Sequence, residues 1–138
     1  MATAQWLMLA LFISFSTMAA SPSYECSKAN ASVETLICND DELAALDRQL
    51  AKVYRQALQS LPAEKQLRAM QRGWIKGRND CWKAADVRQC TAYNYQSRIK
   101  ELQIQAGLLK ATSRAVFDCG EFVDVSADFY TQLNPVTA

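Results

Sequence analysis

Histidine is absent from all 138 residues. Without imidazole there is no Ser-His or Cys-His nucleophile pair, no His-built zinc site and no general base with an ordinary pKa near neutrality. Cys26, Cys38, Cys81 and Cys90 do not fall into Cys-x-x-Cys units, which leaves a thiolate zinc site or a thioredoxin-like motif unsupported. The four glycines do not gather into a loop that would cradle phosphate. A carboxylate-pair glycosidase needs only Asp and Glu, but the acids here fall at helix starts and on polar faces and suggest no cleft. The expectation is a protein that is not an enzyme, with no cofactor and no metal.

Charge is missing from residues 1 to 20. Leu7 to Phe15 is an apolar run followed by the small residues Thr17, Ala19, Ala20 and Ser21, which is the pattern of a secretory signal peptide. It is too short for a membrane span, which takes about 20 apolar residues. Cleavage is expected near Ala19 or Ala20, giving a periplasmic or secreted protein. Attachment to a membrane would follow only from an uncleaved leader. Cys26 does not directly follow the small residues, so lipid attachment there is not expected.

Export makes the cysteines readable as disulfide formers. Cys26 with Cys38 and Cys81 with Cys90 each bracket a single turn or short helix, and two local bridges are expected. Cross-pairing of Cys26 or Cys38 to the Cys81 and Cys90 corner is the open alternative. Cys119 has no obvious partner.

The formal charge of +1 hides an uneven distribution. Residues 21 to 61 hold six acids and four bases, residues 62 to 110 four acids and ten bases, and residues 111 to 138 four acids and one base. A basic middle is one mark of nucleic-acid binding. The regular helical spread of these Arg and Lys residues and the lack of interleaved exposed aromatics read instead as a solvated helix face, so no nucleic-acid partner is expected.

Helical spacing dominates from Val33 onward. Val33, Leu36 and Ile37 mark a short helix that ends at Cys38, before Asn39 and Asp40. Asp40, Asp41 and Glu42 then sit where negative charge meets the positive end of a helix dipole, a capping role rather than a metal cluster. Leu43, Leu46, Leu50, Val53, Tyr54, Ala57, Leu58 and Leu61 repeat at three and four residues and predict a long amphipathic helix. Pro62 ends it and opens a third helix, whose stripe of Leu67, Met70, Trp74 and Cys81 can pack antiparallel on the second. Asn79 to Asp86 turns the chain, and Val87 to Leu109 forms the last helix, with Tyr95, Ile99 and Leu102 inside. Leu43, Leu46, Leu50, Tyr54, Trp74, Tyr95, Ile99 and Leu102 are thus the expected core, with Trp74 an anchor rather than a ligand platform. Asp47, one residue beyond Leu46, is expected to form an ion pair with Arg78 or Arg98 at the core edge.

Beyond Thr112 the period changes to two. Val116, Phe117 and Cys119 lead to a turn at Gly120, and Phe122 to Tyr130 alternates apolar residues with Asp124, Ser126, Asp128 and Tyr130. The fold class is therefore mainly α: a small disulfide-stapled antiparallel bundle of one short and three long helices, residues 21 to 110, followed by a hairpin-like tail, residues 111 to 138. Two strands alone are marginal in water, so the tail either belongs to a longer unit or docks on something.

Residues Cys26 to Leu102 resemble the LprI-like family of small secreted bacterial domains, known for a lysozyme-inhibiting member. The matching residues are Cys26, Val33, Glu34, Ile37 and Cys38, then Leu43, Leu46, Asp47, Leu50 and Tyr54, then Gln71, Trp74, Arg78 and Cys81, then Cys90, Tyr95, Arg98, Ile99 and Leu102. Val116 to Tyr130 looks like the opening of the MliC-type domain, a small β-barrel inhibitor of c-type lysozyme. That family's Ser-Gly-x-x-Tyr inhibitory motif has no counterpart here, so no inhibitory residue carries over. The resemblance implies a binding protein whose partner is c-type lysozyme or another envelope protein. Asp124 and Asp128 would then steer a cationic partner, an effect that the basic middle opposes. A structural module of the cell envelope is the alternative.

Overall fold

The computed structural model describes residues 21–121 and 123–131. The expected signal peptide, Phe122 and the terminus around Asn134 and Pro135 lie outside the described residues.

The chain enters through a 3-10 turn, Cys26–Lys28, and a short helix α1, Ser32–Cys38. Glu34 starts α1 by turning its carboxylate back onto the N–H groups of Asn30 and Ala31, at 3.0 and 3.3 Å, donors that a helix start leaves without intrahelical partners. Val33 and Ile37 are fully buried. The Cys26–Cys38 disulfide ties the turn to the end of α1.

Helix α2, Asp41–Ser60, begins where the Asp40 side chain accepts from the Leu43 N–H at 2.9 Å, a cap of the usual acidic kind. Its buried residues, Leu43, Ala44, Asp47, Leu50, Val53 and Ala57, keep the three-and-four spacing of one face. Helix α3, Glu64–Asn79, starts two residues after Pro62 and runs into a 3-10 turn, Asp80–Lys83, that buries Cys81. The Cys81–Cys90 disulfide closes that corner onto α4, Val87–Gln105. The Asp86 carboxylate caps α4 by accepting from the Gln89 N–H at 2.8 Å. That helix stops four residues short of the expected Leu109. Gly107, at φ +67°, takes the left-handed conformation that terminates helices, and Leu108 and Leu109 turn their N–H groups back to the Gln103 carbonyl.

Helix α2 packs on α4, and α1 closes over α2, α3 and α4. This differs from the close α2–α3 pairing expected from the short connection: α2 and α3 stand on either side of a groove instead. The core joins Val33 and Ile37 to Leu43, Leu50, Val53, Ala57, Leu67, Tyr95, Ile99 and Leu102. Leu46, Tyr54 and Trp74 are only half-buried against it, and Met70 is exposed.

Strands β1, Ser113–Phe117, and β2, Val125–Phe129, pair antiparallel with Ser113 opposite Phe129 and Phe117 opposite Val125. In this register Phe117, Val125, Ala115, Ala127 and Phe129 share one face, and Arg114, Asp128, Val116 and Ser126 share the other. The apolar face stays open: Phe117 and Val125 are each more than half exposed. Cys119 is a free, exposed thiol in the connection. Among the described residues no helix is long and apolar enough to cross a membrane.

Candidate functional site: an aromatic groove over a buried polar network

The groove holds about 640 Å³. One wall is α2, through Leu50, Ala51 and Tyr54. The opposite wall is α3, through Gln71, Trp74, Ile75 and Arg78. Ser23, Tyr24, Glu25 and Lys28 form the lip, with Glu34 and Asp47 below. Helical spacing explains both walls, because residues three and four apart share a face.

A chain of buried polar groups runs beneath it. The Tyr95 hydroxyl donates to Asp47 Oδ1 at 2.8 Å and accepts from Arg78 Nη1 at 2.7 Å. Asp47 Oδ2 takes the Ser23 N–H and Oγ–H at 2.6 and 2.5 Å. Arg78 Nε and Nη2 donate to Asn79 Oδ1 at 3.1 and 2.8 Å, and Nη2 also lies 3.6 Å from Glu34 Oε1. Asn79 Nδ2 donates to the same Glu34 oxygen at 3.1 Å. All four helices and the N-terminal strap therefore meet at Asp47, Tyr95 and Arg78.

The expected ion pair is thus corrected. Asp47 and Arg78 meet through the Tyr95 hydroxyl, because that phenol stands between the two helices and serves both groups. Arg98 belongs elsewhere: its Nε donates to Gln71 Oε1 at 3.1 Å and its Nη1 to Glu101 at 2.7 Å. Among the described residues the buried Arg98 Nη2 has no hydrogen-bond partner.

Burial pushes the Tyr95 hydroxyl up, and the Asp47 charge adds to it against the opposing pull of Arg78. Burial likewise raises Tyr24 to about 12, with Arg78 opposing, and its hydroxyl donates to the Glu34 carbonyl at 2.9 Å. Both phenols stay protonated and act as donors. For Glu34, burial works upward, but the Asn30 N–H, Asn79, the Ala31 N–H and Arg78 together outweigh it and hold the carboxyl low.

Trp74 meets Tyr95 edge to face at 5.3 Å between centroids. The Arg78 guanidinium lies 5.6 Å from the Trp74 ring and 5.5 Å from that of Tyr95, close enough for cation–π attraction. Trp74 is consequently anchored in the network on one side and exposed to the groove on the other. It combines the anchor expected of it with the surface role that the sequence argued against.

Asp40 joins Arg88 at 2.6 Å, and Glu42 joins the same guanidinium, so this acidic helix start is bound to α4. The Arg88 hydrogen bond and the Leu43 N–H hold Asp40 low. On the hairpin, Asp128 accepts from Arg114 at 2.6 and 2.9 Å, which cancels much of the acidic row proposed for steering and leaves Asp124, exposed ahead of β2. Ser23 and Tyr24, read as part of a short polar stretch, are site residues that sequence reasoning missed. Ser23 binds a carboxylate 24 positions away, and no local pattern marks such a pair.

The sequence model of the family described as "Lysozyme inhibitor LprI" matches residues 26–114. The match takes in both disulfides, the four helices and most of the groove, and it ends inside β1, so the MliC-type likeness of the tail gains no support. Proteins named "Lipoprotein LprI" from Mycobacterium bovis and Mycobacterium tuberculosis are 32% identical over 120 residues, covering 86% of this chain. The chain spans 60% of the length of these relatives. No solved structure matches it significantly. The matched span holds the four paired cysteines and Glu34, Asp47, Arg78, Asn79 and Tyr95 of the buried network, and by this match the chain belongs to the lysozyme inhibitor LprI family.

Proposed function

We propose that this protein is an exported, non-enzymatic lysozyme inhibitor whose helical domain carries recognition. The observation that carries the reading is the placement of the family match, over residues 26–114 and hence over the helices rather than the hairpin. The internal pairing of Asp128 with Arg114 supports it, since one of the two acids expected to steer a cationic enzyme is then engaged within the hairpin. Cys26 is held by Cys38, which fits a disulfide-stapled domain and not a lipid-bearing cysteine at that position.

One observation favours the second reading, a module that docks within the cell envelope. Arg48, Lys52 and Arg55 on α2 and Arg72 and Lys76 on α3 have no acid within 4 Å among the described residues, and such unneutralised cations oppose the approach of a cationic partner. Titrating the purified protein into c-type lysozyme while following the clearing of a peptidoglycan suspension separates the two. The inhibitor reading predicts saturable loss of lytic rate at a defined stoichiometry. Unchanged lysis at excess protein would leave the envelope module.

A further inference from the structure

The lining of the groove is apolar and aromatic with an excess of negative charge. Leu50, Ala51 and Ile75 give it an aliphatic wall, and Tyr24, Tyr54 and Trp74 bring three rings to it. Three acids line it, Glu25, Glu34 and Asp47, against two cations, Lys28 and Arg78. Both cations are engaged already, Lys28 by Glu25 at 2.6 Å and Arg78 by Tyr95, Asn79 and Glu34. An anion entering the groove would face the carboxylates with no open cation in the lining, so the charge there favours a cation.

Arg78 shows what these rings accept. Its guanidinium rests 5.6 Å from the Trp74 ring on the buried side, and Trp74 also lines the groove. On the lip, the Tyr24 ring is fixed by its hydroxyl bond to the Glu34 carbonyl. Glu25 beside it is held by Lys28 in a pair whose side chains are 68% and 76% exposed. Such a surface pair contributes little, so an incoming cation exchanges for Lys28 at small cost. A long side chain with an apolar stem and a cationic head matches an aliphatic wall that leads to rings and a carboxylate. Arginine matches best, because its flat guanidinium stacks on aromatic faces. Arg55, Arg72 and Lys76 lie outside the lining and oppose a broad basic surface, and one extended side chain reaches past them.

We propose that the groove holds one arginine side chain of a cationic partner protein, its stem along Ala51 and Ile75 and its guanidinium among the Trp74, Tyr54 and Tyr24 rings and against Glu25. On the inhibitor reading, on which this assignment rests for the identity of the partner, that arginine belongs to c-type lysozyme.

Two measurements keep the groove and the partner apart. The first is an NMR titration of the isotopically labelled protein with N-acetyl-arginine amide and with its uncharged citrulline analogue. The arginine compound shifts the Trp74 indole N–H and the Ala51 and Ile75 amides with a Kd of about a few millimolar, and the citrulline analogue binds at least about tenfold more weakly. No shift at those groups, or equal binding of the citrulline analogue, overturns the proposal. The second is calorimetric titration of c-type lysozyme into the wild-type protein, Glu25→Lys and Asp124→Lys, the last being the same charge change on the hairpin. Glu25→Lys lowers lysozyme affinity by about tenfold with the melting temperature unchanged, and Asp124→Lys by less than about twofold. Equal affinity of Glu25→Lys and wild type, or equal losses in the two variants, overturns the groove as the point of attachment and leaves the inhibitor reading standing. Binding of the arginine compound without any binding of lysozyme does the reverse: it upholds the arginine site and removes the inhibitor reading.

Discussion

At the scale of single residues, the molecule turns on the Tyr95 hydroxyl. It is fully buried and serves an anion and a cation at once. Tyr95→Phe keeps the ring packing and leaves Asp47 Oδ1 and Arg78 Nη1 each without that partner. Buried groups stripped of a charged hydrogen bond cost about 1.5 to 3 kcal/mol, so urea unfolding should show a loss of about 2 kcal/mol or more. A change near zero would show that water replaces the hydroxyl. The effects of Asp47→Asn and Tyr95→Phe should be non-additive, because the two residues share one bond. Trp74→Ala should cost about 2 kcal/mol, below the 3 to 5 typical of a fully buried tryptophan, because one side of the ring faces the groove. Sequence reasoning found Asp47 and Arg78 by their position beside apolar stripes. It read Tyr95 only as core, since an apolar pattern does not reveal which buried ring uses its polar end.

At the scale of elements, the helices were legible and their partners were not. The period of Leu43 to Leu61 defines α2 and Asp40 was read as its cap, whereas Asp86, which caps α4, was read only as the end of a turn. The choice of α4 as the close partner of α2 was hidden, because the inner face of α4 mixes Thr91 and Arg98 with Tyr95, Ile99 and Leu102. A short α2–α3 connection suggested adjacency, whereas the side chains of Tyr54 and Trp74 line a groove between those two helices. The hairpin was legible from its period of two and its Gly120 turn, where φ is +69°. Its apolar face remains open to solvent, and two strands contribute little on their own. A chain ended at Leu109 should therefore keep its helical circular dichroism and melt cooperatively within a few degrees of the full chain. Loss of cooperative melting would mean that the hairpin covers part of the bundle.

At the scale of the whole molecule, acid should loosen the N-terminal strap and the α2–α4 contact together. Glu34 and Asp40 both titrate below their ordinary values of 4.5 and 3.8 in the folded state. The unfolded chain therefore binds their protons first as pH falls, and the stability they contribute is present above those values and lost as pH drops through the depressed ones. The melting temperature should hold from neutral pH to about pH 5 and then decline, with a shallower decline in Glu34→Gln. An equally steep decline in that variant would place the acid sensitivity elsewhere. The central claim is that the stapled helices alone carry recognition of lysozyme. The most direct measurement is the inhibition of c-type lysozyme by the full chain and by the chain ended at Leu109, side by side in one turbidity assay. The two chains should give the same inhibition constant within about twofold, a difference of about 0.4 kcal/mol. Inhibition by the full chain that disappears on removal of the hairpin would contradict it.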